Sequence, residues 1–112
     1  MTLDNSTTKP QLLGDNTIAM LEAMFTSNSK IKVSVDLHEG HDRPNLSFSL
    51  VDGHGEMLAR SFIINCIDQH IDFTLHIRQS EPSFPLNLKC ESFFEDDQPV
   101  DQKEILIEQP AT

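Results

Sequence analysis

The run Met57 to Ile67, MLARSFIINCI, constrains this chain more than any other stretch. Side chains on a strand alternate between its two faces, so the two parities can be read separately. Leu58, Phe62, Ile64 and Cys66 share one parity; Met57, Ala59, Ile63 and Ile67 share the other. A strand that is apolar on both faces is expected to be covered on both. The run is therefore expected at the centre of a sheet.

Most of the other strand-like runs are apolar on one face only. Ile31, Val33, Val35 and Leu37 alternate with Lys32, Ser34, Asp36 and His38. Leu46, Phe48 and Leu50 alternate with Asn45, Ser47 and Ser49, and Ile71, Phe73, Leu75 and Ile77 with Asp72, Thr74, His76 and Arg78. Leu86, Leu88, Cys90 and Phe94 share a parity in a further run, opposite Asn87, Lys89, Glu91 and Phe93, and Ile105 and Ile107 carry a last short strand. Such period-two runs predict half-buried strands. Pro82 and Pro85 place the strand that follows them at or near a sheet edge.

Asp52-Gly53-His54-Gly55 fits a type I turn followed by a glycine in the left-handed conformation. That loop sets Asp52 opposite Glu56, and hence Leu50 opposite Leu58, Phe48 opposite Arg60 and Leu46 opposite Phe62. This register keeps one face apolar except at Arg60. Arg60 is expected at the rim, its stem packed and its head in water. The alternative is a pocket for an anionic group.

Near the N-terminus the period changes. Ile18, Leu21, Met24 and Phe25 recur at helical spacing, with Asp15 or Asn16 as a cap, which predicts a short amphipathic helix docked on the sheet or on a second subunit. Residues 1–14 read as a flexible tail, 15–109 as a single β-rich domain and 110–112 as a C-terminal tail. The expected fold is mainly β: an antiparallel β-sandwich or rolled meander sheet of about six strands with that one helix.

Composition then restricts the function classes. The net charge is −10, from 18 acidic residues against 8 basic ones. Nucleic acid is not expected as a partner, because binding it begins with neutralising phosphates. An anionic membrane surface is disfavoured for the same reason. Nor does any run approach the roughly 20 apolar residues that span a bilayer. The N-terminal sequence lacks the basic and apolar regions of a secretory signal, so a cytoplasmic location is expected. Trp and Tyr are absent, which lowers carbohydrate and single-strand binding.

Three clusters carry side chains of chemical interest. His38, Glu39, His41 and Asp42 are ligand-type side chains on one loop, yet a zinc site needs more donors at defined spacing. Glu95, Asp96, Asp97, Asp101 and Glu104 crowd the last loop without calcium-loop spacing. Cys66 and Cys90 have core parity and read as buried free thiols rather than a bridge; the immunoglobulin combination of two cysteines and a tryptophan is incomplete. No metal or other cofactor is expected. With no nucleophile–base pair or phosphate-cradling glycine loop, the expectation is no enzyme but a protein-interaction module: an accessory subunit, adaptor or chaperone-like binder whose partner is another protein or a second copy. Met57, Ile63, Ile67 and Phe93 are the candidate contact residues, as apolar side chains on otherwise polar faces. The alternative is a small-ligand or metal-binding domain, with a site in the sandwich interior or the HEGHD loop.

Overall fold

The computed structural model describes residues 17–38, 43–78, 81–94 and 99–109. Among these residues seven strands form two antiparallel sheets: β1 (Ile18–Ser27), β2 (Lys30–Leu37), β3 (Asn45–Val51), β4 (Met57–Ile63), β5 (His70–His76), β6 (Leu86–Phe93) and β7 (Pro99–Ile107). One sheet has the order β1-β2-β5 and the other β4-β3-β6-β7. Hairpins join β1 to β2, β3 to β4 and β6 to β7, while the three remaining connections pass between sheets. The expected sandwich is present. The meander is not, because β2 pairs with β5 and β3 with β6, far apart in sequence. The result is an immunoglobulin-like Greek-key sandwich with its fourth strand beside the third.

The predicted alternation explains the core. Ile31, Val33, Val35 and Leu37 of β2 face Leu46, Phe48 and Leu50 of β3 and Leu86, Leu88 and Cys90 of β6 across one continuous buried cluster. Phe48 meets Phe73 of the opposite sheet edge-on, centroids 4.6 Å apart, a geometry that suits the aromatic quadrupoles. Cys90 and Cys66 are buried free thiols. Burial pushes the Cys90 thiol up to about 12, with Asp101 and Glu91 adding to the effect. Burial raises Cys66 as well. Neither is a poised nucleophile.

Three expectations are corrected. Ile18–Ser27 is a strand, not a helix. A register shift between Ile18 and Met20 absorbs one residue, so Ile18 and Leu21 are both buried although three apart. That irregularity imitates helical spacing. Secondly, the strand that begins the 57–67 run is at an edge, since among the described residues β4 pairs with β3 alone. The strand after Pro82 and Pro85 is near an edge, as expected: β6 lies one strand in from β7, and Pro85 precedes its first residue, so no ladder donor is lost.

The third correction concerns register. The turn forms as expected: Asp52 N–H donates to the Glu56 carbonyl at 2.9 Å, Gly55 N–H donates to the Asp52 carbonyl at 2.9 Å, and Gly55 has φ +83°. A bulge between Leu50 and Val51 then moves every later pair by one, giving Leu50–Ala59, Phe48–Ser61 and Leu46–Ile63. Ile63 therefore packs on the core, while Arg60 and Phe62 face outward. Phe48→Ala should lower the unfolding free energy by about 3–5 kcal/mol, as for a buried phenylalanine. Phe62→Ala should change it by under about 0.5 kcal/mol in urea denaturation of the chain diluted to monomer, as for a surface substitution. Equal losses at both positions would place Phe62 in the core and refute this register.

Candidate functional site

The chemistry-bearing side chains fall into three places. The first is the outer face of β2 and β5. Register sets Ser34 opposite Asp72 and Asp36 opposite His70. His70 is held by carboxylates on both sides: Nδ1 meets Asp36 Oδ1, and Nε2 meets Asp72 Oδ2 at 3.0 Å. Ser34 Oγ donates to Asp72 Oδ1 at 2.6 Å. Hydrogen bonds accepted by Asp36 and then Asp72 raise the His70 pKa, and those that Asp72 accepts from Ser34 and His70 lower its own. Ser34 bonds the acid rather than the imidazole, so the order of a catalytic triad is missing. The two carboxylates sit at opposite ring nitrogens, and no group of three or more potential metal ligands occurs among the described residues.

The second place is the β3–β4 hairpin tip. Asp52 Oδ1 accepts from the backbone of His54 and of Glu56, both at 2.9 Å. These bonds, Glu56 first, lower the Asp52 pKa. Ser83 Oγ lies 2.9 Å from His54 Nδ1, and Gly53 N–H donates to the Ser83 carbonyl at 2.6 Å. A Cβ on Gly53 would stand 3.0 Å from the Phe84 carbonyl oxygen, so only glycine lets the hairpin come this close. The serine–histidine pair thus belongs to the contact that ties the tip to the segment before β6. Asp52 touches the His54 backbone, not its ring, and so does not orient it as a catalytic acid would.

The third place is the β4 edge and the turn beyond it. Met57, Phe62, Ile64 and Ile67 are 50%, 52%, 67% and 71% exposed, which makes this the main concentration of exposed large apolar side chains among the described residues. Arg60 lies over the Phe62 ring, 5.3 Å from its centroid. Asn65, at φ +57°, turns the chain, and its N–H is held by Asn45 Oδ1 at 2.8 Å while Cys66 N–H donates to the Pro44 carbonyl. The 57–67 run contains no acidic residue in a chain of net charge −10.

Of the four residues expected to make contacts, Met57 and Ile67 lie in this strip. Phe93 is half-buried on the same outer sheet face, directly opposite Asn45, and Ile63 turns inward. Phe62 and Ile64 replace Ile63. Alternation alone misses them because the bulge reverses parity. Only the turn-proximal register is readable from sequence.

The metal and acidic clusters fare differently. Residues 39–42 lie outside the described residues, and His38 is exposed. Asp101 ties the two sheets, its Oδ2 accepting from Ile18 N–H at 2.9 Å. A shallow groove of about 570 Å³ also opens along β1, where Leu21, Ala23 and Met24 meet Glu22 and Lys32. No helix among the described residues is long and apolar enough to cross a membrane.

No protein-family model matches the chain, and no curated protein matches its sequence. A solved glycosyl hydrolase family 2 member from Bacteroides cellulosilyticus is similar in structure. Its TM-score is 0.54 at 13% identity, covering 83% of this chain and 14% of that one. The likeness extends to the sandwich fold, and this chain spans about one seventh of the neighbour's length.

The imidazole cluster gives a pH signature. With a raised folded pKa, protonated His70 contributes stability fully below its ordinary 6.5, and that contribution is lost as pH rises through the raised value. With a lowered pKa, ionised Asp72 contributes above 3.8, and loses that contribution as pH falls through the lowered value. The difference in Tm between the native chain and His70→Ala should therefore be widest between pH 3.8 and 6.5 and narrow above it. A pH-independent difference would mean that the ion pairs contribute nothing.

Proposed function

We propose that this chain is a non-enzymatic protein-binding module that engages its partner through the β4 edge and the strip at residues 62–67. One observation carries the reading: apolar side chains are exposed along a sheet edge to which no further strand is paired among the described residues. The unpaired backbone groups of such an edge can template another strand, and the flanking side chains supply contact area. The absence of acidic residues from the 57–67 run supports the assignment, since a partner docking on it meets no carboxylate between Glu56 and Asp68. The shift of both thiols away from reactivity and the order of the His70 cluster favour binding over catalysis. Unbridged cysteines suit a reducing cytoplasm. The neighbouring hydrolase, in which a sandwich of this fold occupies 14% of the chain, is consistent with a modular part rather than a whole catalyst.

The test places a photo-crosslinking phenylalanine analogue at position 62 of the full chain in its own cells. A discrete crosslinked protein is expected, and Ile67→Asp should abolish it. The same analogue in place of Met24, on the other sheet, should give none. Equal capture from both positions would remove the β4 edge as the site.

A further inference from the structure

Among the described residues the sandwich has four edge strands, and they are guarded unequally. β7 carries Pro99, Asp101, Lys103 and Glu104; β5 carries His70, Asp72 and His76. β1 has register shifts at both ends and Glu22 between them. Pro, charges and bulges are the ordinary means by which edges are kept from pairing. β4 likewise has one charge between two irregularities, the bulge near Met57 and the left-handed turn at Asn65, but that charge is the basic Arg60 in a chain of net charge −10. The regular stretch between them is residues 59–63, with Ser61 at its middle.

That stretch is complementary to itself. An antiparallel partner related by a two-fold axis through Ser61 pairs Arg60 with Phe62 of the second copy, and Phe62 with its Arg60. Directly opposed side chains on one face have Cβ atoms about 4.5–5.5 Å apart, within reach of a cation–π contact. On the inner face the same axis sets Ile63 beside Ala59, large against small. An axis through Arg60 would oppose two guanidinium groups, and one through Phe62 would run the pairing into the turn at Asn65. Arg60 already lies over its own Phe62 ring, so its head can serve the ring of either copy.

We propose that the occupant of the β4 edge is a second copy of this chain, joined by antiparallel β4–β4 pairing about Ser61. The two four-stranded sheets then become one eight-stranded sheet. This rests on the protein-binding reading of β4 and names the partner. Each copy has a net charge of −10, so the pairing strengthens as added salt screens long-range repulsion.

Sedimentation velocity on the full chain, with circular dichroism to confirm folding, tests the pairing through a complementation pair. In its own dimer Arg60→Glu sets a carboxylate against Phe62 and loses the cation–π contact. Phe62→Lys sets an ammonium against Arg60 and repels it. Mixed, the two variants bring the introduced carboxylate against the introduced ammonium on one side of the axis and keep the native Arg60–Phe62 contact on the other. The expected result is a dimeric native chain, each variant folded and monomeric, and dimer restored in the equimolar mixture. A native chain that stays monomeric at all concentrations and salt levels overturns the second-copy assignment, while crosslinking at position 62 to a different protein would leave the protein-binding reading standing. A native dimer that both variants preserve also overturns it, by placing the interface elsewhere.

Discussion

Everything in this sandwich depends on β3 being paired on both sides. Leu46, Phe48 and Leu50 are each wholly buried, and their row fixes which residues of β4 and β6 face inward. Two-stranded hairpins are marginal by themselves in water. The three hairpins of this chain become a core only when β3 joins β6 and β2 joins β5. Phe48 against Phe73 then ties the sheets face to face. Asp101 does the same at the opposite margin, by accepting the Ile18 amide that begins β1.

Bulges decide what the strand margins present. A bulge adds one residue to one strand, and every side chain beyond it changes face. Near Val51 this sends Arg60 and Phe62 outward and Ala59, Ser61 and Ile63 inward. Near Met20 it lets Ile18 and Leu21 share the interior while Met20 and Met24 go to solvent. The same kind of irregularity thus produces a helix-like spacing in one strand and a doubly apolar strand in another.

Legibility follows from this. Strands β2, β3, β5 and β6 are regular over their length, and their alternating residues predict the core faces directly. The turn at residues 52–55 is readable because its chemistry is local: a carboxylate accepting two nearby amides and a glycine at positive φ. Parity beyond a bulge is not, because it depends on which partner strand arrives from elsewhere in the chain. Alternation identifies Met57 and Ile67 as outward residues, but it assigns Phe62 and Ile64 to the interior and Ile63 to the surface. The His70–Asp36–Asp72 cluster is hidden for the same reason, since β2 and β5 meet only through the fold.

The distribution of charge gives the exposed edge its meaning. A net charge of −10 keeps chains of this size apart at long range, but that repulsion is screened beyond about 8 Å at physiological salt. Contact at an edge is decided within a few ångströms, by side chains and backbone groups. Segregating acidic residues away from the 57–67 run therefore separates the two requirements. On the proposed reading the body of the molecule resists indiscriminate association, while β4, flanked by irregular backbone on both sides, offers a partner strand the regular stretch of residues 59–63. An edge exposed by misfolding would have no reason to be both free of acidic side chains and bounded in length. One shaped for a specific strand would need both.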